Sequence, residues 1–108
     1  MDRPKSNQNT FHLYGTEWTI RYCDYIEKEK EDEDEKDGLC DHSEHLISVA
    51  TKKLNGKDKI PSEIELTLLH EIVHAILGTG QYISSCEDEP LVEWIARSIY
   101  SLKKQGVL

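Results

Sequence analysis

The chain has 108 residues, with 21 acidic side chains against 13 lysines and arginines and a formal net charge of -8. That length fits a single domain, 1–108, with a modest core and excludes multilayered enzyme architectures. The acidic balance without a basic patch excludes a phosphate-backbone binder, so no nucleic-acid partner is expected.

No run approaches the roughly 18 apolar residues of a membrane span, and the start MDRPKSNQNTF lacks the apolar segment of a signal peptide. The expectation is a cytoplasmic protein without a membrane partner. Cys23, Cys40 and Cys86 are odd in number and widely spaced, which fits reduced thiols better than a disulfide framework or a CxxC knuckle.

In chain order, residues 1–10 are expected to be a flexible N-terminus. FHLYGTEWTIRYCDYI then predicts a short strand, a turn at Gly15 and a longer strand over 17–25. Trp18, Ile20 and Tyr22 share one face of that strand, and Thr19, Arg21 and Cys23 the other. Residues 27–37, EKEKEDEDEKD, carry five of the eight net negative charges and no apolar side chain, so they predict a mobile acidic loop. They lack the central glycine and ligand pattern of a calcium loop. Residues 38–43 are turn-rich, and HLISVA at 45–50 predicts a further strand, either a core strand or one at a sheet edge that could hold an extended peptide. The fold class is α+β, with a small antiparallel-type sheet of about three strands packed with two helices.

The period then changes. Ser62 and Glu65 match a capping box, and Ile64, Leu68, Leu69, Ile72, Val73 and Ile76 recur at helical spacing, predicting a helix of about 15 residues that closes near Gly78 and Gly80. It is apolar on nearly every side and should be central to the core. A second helix should begin near Asp88, with Pro90 in its first turn, and stop at Gly106, with Val92, Ile95, Ala96, Ile99 and Leu102 facing the first.

His70-Glu71-Ile72-Val73-His74 is a complete H-E-x-x-H. Spacing of four puts both imidazoles on one helix face, where they can converge on one zinc ion, while Glu71 beside them can act on an activated water. Two buried histidines and a glutamate without such a role would be costly to satisfy. A third ligand must come from downstream, where Glu87, Asp88, Glu89 and Glu93 are the next acids and no histidine follows. Glu89 shares the inward face of the second helix and is favoured as ligand. Glu93, one turn on, suits the far nitrogen of a ligand histidine but stays open as the alternative ligand. Glu87 and Asp88 also suit a helix N-terminus. Tyr82, His42, His45 and Tyr100 are the candidate donors to a transition-state oxyanion.

The segments TLLHEIVHAILGTG and EDEPLVEWIARSIYSL resemble the catalytic half of the small zinc metallopeptidases of phages and prophages, related to the ImmA/IrrE and minigluzincin families. In that family the second helix supplies a glutamate ligand in an E-x-x-A-N/D type pattern. Glu89 stands at the liganding position, Val92 at the small apolar position and Glu93 at the following polar one. The resemblance implies a minimal zincin or gluzincin core, one Zn2+ per chain, a peptide or protein substrate, and host cytoplasm as the location if the chain is phage-encoded.

Three functions follow from these residues. The first is a zinc metallopeptidase with Glu71 as general base. The second is a non-catalytic, zinc-stabilised interaction module of phage or prophage origin, in which a further donor such as Cys86 would close the fourth position. The third is a hydrolase of non-peptide amides. Nothing in the sequence sets the oligomeric state.

Overall fold

Two strands, β1 (Gln8–Leu13) and β2 (Thr16–Cys23), form an antiparallel hairpin in which Leu13 pairs with Thr16 across a two-residue turn. Tyr14 and Gly15 both have positive φ, 49° and 85°, the backbone that matches the right-handed twist of a hairpin. In this computed structural model the described residues are 8–27 and 36–108. Residues 8–10, at the end of the expected flexible N-terminus, belong to β1; the rest of that segment, and most of the acidic stretch 27–37, lie outside the described residues.

The sheet has four strands and is mixed, where about three of antiparallel type are expected from the sequence. The additional strand is β3 (Gly38–Asp41), which reads as a turn because Gly38 and Asp41 flank only two strand-prone residues. Pairing with β4 (Leu46–Ala50) makes it a strand: β3 runs antiparallel to β4, and β4 runs parallel to β2, giving the order β1-β2-β4-β3. The chain leaving β2 thus skips one strand width before β4 returns to fill the gap. Of the two readings of 45–50, an edge strand or a core strand, this order gives the core strand. β4 is interior, with Ile47 and Val49 fully buried and Ser48 and Ala50 nearly so, as continuous burial of an inner strand requires. The edges are β1 and β3.

The motif helix α1 (Pro61–Thr79) is longer than predicted and begins two residues earlier, its N-cap at Ile60 in place of Ser62. Pro61 occupies its first turn and Ile60 is the N-cap, so Ser62 is already helical and the expected capping box does not form. Glu65 instead accepts from Lys103 Nζ at 2.6 Å, tying the start of α1 to the end of the last helix. A short helix, α2 (Ile83–Cys86), occupies the connection, and α3 (Glu89–Lys104) follows, with the Asp88 carboxylate accepting from Leu91 N–H at its N-cap. Because Glu65 meets Lys103 while His70 meets Glu93, α1 and α3 run antiparallel.

Burial on two sides makes α1 the middle layer. Ile64, Leu68, Ile72 and Ala75 pack on Trp18, Ile20, Ile47 and Val49 of the sheet. Leu66, Leu69, Val73 and Leu77 pack on Val92, Ile95, Ala96 and Ile99 of α3. At roughly 1.5–3 kcal/mol for each fully buried large aliphatic side chain, these two interfaces hold the helix rigidly enough to carry a site. The result is an α+β fold, a mixed four-stranded sheet with an HExxH-bearing helix and a C-terminal helix, matching a minimal zincin core. Among the described residues no helix is long and apolar enough to cross a membrane.

Candidate metal centre

One turn of α1 separates His70 from His74, and their rings stand 5.0 Å apart with the two Nε2 atoms at 3.2 Å. The antiparallel return of α3 delivers Glu89, the residue after its N-cap, to the same point. Glu89 Oε2 lies 2.8 Å from His70 Nε2, and Oε1 lies 3.1 Å from His74 Nε2. All three donors fall within 4.8 Å of one another, the one such cluster among the described residues. In a tetrahedral site with ligand bonds near 2.0–2.1 Å, donor atoms stand about 3.3 Å apart, so the triangle is already close to the size zinc requires. Two imidazole nitrogens and a carboxylate facing one point are also the donor types that zinc takes.

The other acids sort themselves by position. Glu93 Oε1 accepts from His70 Nδ1 at 2.9 Å, and its Oε2 accepts from Arg97 Nε at 2.9 Å. It therefore braces the far side of a ligand ring, fixing the proton on Nδ1 and leaving the Nε2 lone pair for a cation. The same hydrogen bond from His70 holds the Glu93 carboxyl below its usual range. Asp88 caps α3 and Glu87 caps α2, and neither joins the cluster. Cys86 approaches His74 from Nδ1, at 3.6 Å, on the side of the ring away from the other donors. It does not complete the tetrahedron.

Glu71 is buried at 8% exposure, next to His70 in sequence and directly against β3. A Cβ on Gly38 would stand 2.8 Å from Glu71 Cγ and 2.9 Å from Oε2, so the absence of a side chain there makes room for the carboxyl. Burial pushes this carboxyl up to about 7, with the His70 charge pulling it down and the Glu89 charge pushing it up. For His70 the largest influence is burial, which works downward, but the Glu93 hydrogen bond and the Glu71 and Glu89 charges outweigh it and the net direction is upward. Burial dominates at His74 and lowers it, favouring the neutral ring that a metal needs.

These groups open onto a cavity of about 910 Å³ whose lining includes His70, Glu71, His74 and Glu89 from the helices and Leu39 and Cys40 from β3. Comparison of the chain with protein-family models, curated proteins and solved structures returns no match. The site itself is a His/His/Glu metal-binding triad consistent with a gluzincin-like HExxH motif.

Of the four candidate oxyanion donors, only His42 lines the cavity. His45 packs on Trp18 with ring centroids at 5.1 Å, Tyr82 is 65% exposed beside Gly80, and Tyr100 lies under Lys104 near the end of α3. The β3 wall, Gly38 and Cys40, is not predicted by the sequence, because its position depends on pairing with a strand formed later in the chain. A glycine followed by strand-prone residues just past a charged stretch is the only local signal of it.

Proposed function

We propose that the protein is a zinc-dependent metallopeptidase. The observation that carries this reading is a buried carboxyl, Glu71, beside a three-donor cluster that faces a cavity, with no fourth donor joining it among the described residues. Three protein ligands and an accessible remaining position are the arrangement of catalytic zinc sites, whereas structural sites are closed by four. His70, His74 and Glu89 would hold the ion. Bound there, zinc supplies Lewis-acid polarisation of the scissile carbonyl and acidifies water.

The chain's own residues do the rest. Glu71 accepts a proton from the attacking water at its carboxylate and returns it to the leaving amine, a task suited to a carboxyl shifted toward neutrality. Glu93 and Arg97 hold the His70 ring in orientation through the attack. The edge strand β3, lying along the cavity, supplies backbone groups to an extended peptide by strand addition, the part that 45–50 would have taken at an edge. His42 is the cavity residue that remains as a donor to a developing oxyanion.

The substrate class is therefore a peptide or an extended protein segment. The resemblance to phage and prophage metallopeptidases supports host cytoplasm as the location if the chain is phage-encoded, and the acidic balance without a basic patch supports action without nucleic acid.

Metal analysis combined with cleavage of an unbiased peptide library tests the reading. Glu71→Gln should keep its metal and lose roughly 10²- to 10⁴-fold in cleavage rate, while Glu89→Ala should lose both metal and cleavage. Wild-type protein without bound zinc, or a Glu71→Gln variant cleaving at the wild-type rate, would overturn it.

A further inference from the structure

Beyond the metal centre the cavity continues along α1 toward Glu63, and α3 lines it there with Pro90, Glu93 and Arg97. Arg97 is held by one nitrogen. Its Nε donates to Glu93 Oε2 at 2.9 Å, while Glu93 Oε1 accepts from His70 Nδ1, so a single carboxylate ties the guanidinium to a ligand ring. The terminal amino groups of Arg97 make no hydrogen bond or ion pair among the described residues, and the side chain is 65% exposed. A guanidinium is a rigid fork of N–H donors that stays charged at every working pH. The outer half of this fork is therefore open to a ligand, in an orientation that Glu93 fixes.

We propose, resting on the peptidase reading, that Arg97 selects the substrate: its terminal amino groups take a carboxylate of the peptide, from an acidic side chain or from the C-terminus. Paired N–H donors in one plane match the two oxygens of a carboxylate, and charge strengthens each hydrogen bond. Position limits where that carboxylate can stand in the peptide. One glutamate side chain spans the gap between the guanidinium and the His70 ring. At about 3.3 Å per residue of extended chain, the fork reaches only the roughly three residues nearest the scissile bond.

The neighbouring charges leave this role to Arg97. Lys59, the buried cation of the lining, is taken up by Asp37 at 2.6 Å. Both oxygens of Glu93 are engaged, one by His70 and one by Arg97 itself, so a basic side chain would have to displace the guanidinium to reach them. Lys36 adds to the positive side of the lining, and Glu63 opposes it. Apolar surface continues the rim beside the fork. Pro90 and Trp94 stand one turn apart on α3, Trp94 is a helical neighbour of Arg97, and its ring is 68% exposed. That ledge suits an apolar residue next to the carboxylate.

Binding of labelled alanine-based peptides to Glu71→Gln protein in the presence of Zn2+, read by fluorescence anisotropy, tests the proposal without turnover. A glutamate is moved through the peptide against glutamine, and free and amidated C-termini are compared separately. Glutamate at one or more positions, or the free C-terminus, should bind about tenfold tighter than its uncharged counterpart, and whichever does so identifies the source of the carboxylate. Adding Arg97→Gln should abolish the preference, and Arg97→Glu should reverse it. Loss of the brace on Glu93 affects charged and uncharged peptides alike, so their ratio isolates the fork. Absence of any carboxylate preference with Arg97 in place, through equal binding or none, overturns the proposal, as does a preference that survives Arg97→Glu. Cleavage by protein with Glu71 intact is measured in parallel: a preference without cleavage defeats the peptidase reading alone, and cleavage without a preference defeats this one alone.

Discussion

The two walls of the cavity are built by different means. The α1–α3 wall places its groups by helical period: His70, His74, Glu89 and Glu93 repeat at one-turn spacings, and their partners are hydrogen-bonded carboxylates at 2.8–3.1 Å. The β3 wall places its groups by close approach. Gly38 lies against Glu71, His42 fits against Gly78, and the nearest polar contacts there are sulfur to nitrogen at 3.6–3.8 Å. The helical wall determines which ion can bind. The strand wall determines how dry and how shaped the space around Glu71 is.

Glu71 sits between the two walls, and its titration offers the largest test of this contrast. An exposed carboxyl titrates near 4.5 and Glu71 near 7, so the folded, metal-free protein holds a proton there that the unfolded chain has released. That stabilisation is fully present below the unfolded value and is lost as pH rises through about 7. Glu71→Gln cannot ionise, so it should be more stable than wild type by about 3 kcal/mol at about pH 8 and equal to it at about pH 4. Urea denaturation of the two metal-free proteins at both pH values measures the difference; a constant difference would mean that the strand wall leaves Glu71 solvated.

Gly38→Ala breaks the strand wall alone. The added methyl overlaps Glu71 and Thr67 and should cost about 1–3 kcal/mol as overpacking. It should also lower cleavage with the metal retained, because its clashes involve no ligand atom. Wild-type stability and cleavage together would show that β3 yields freely. Glu93→Gln weakens the helical wall alone. Losing the charged partner of His70 Nδ1 should reduce zinc affinity roughly 10- to 100-fold, read by competition with a chelator, and an unchanged affinity would reduce Glu93 to a surface partner of Arg97.

The contrast also explains what could be read from the sequence. His70, Glu71 and His74 are legible because helical period alone fixes their relation, and Glu89 is favoured over Glu93 because it stands one and two turns before Val92 and Ala96, the stripe that faces α1. The start and end of α3 followed from Asp88, Pro90 and Gly106, which act locally. β3 is illegible because its strand character comes from pairing with β4, and the choice between edge and core for β4 stays open in the sequence because nothing local reports insertion between two earlier strands. The contact of His42 with Cys86 is illegible for the same reason, the two being separated by 44 residues. Ser62 shows the converse error: a valid capping pattern yielded to Pro61, whose fixed φ suits the first helical turn.

The helical hairpin has a kinetic consequence as well. Its donor pair His70 and Glu89 is only 19 residues apart, whereas Arg21 and Ser48, on the paired strands β2 and β4, are 27 apart, with β3 still to be placed beside them. Short closures form early and non-local strand pairings late. An ion held by those donors would therefore gather on the hairpin before the sheet exists, act on the rate of folding, and leave the strand wall to close over a site already formed.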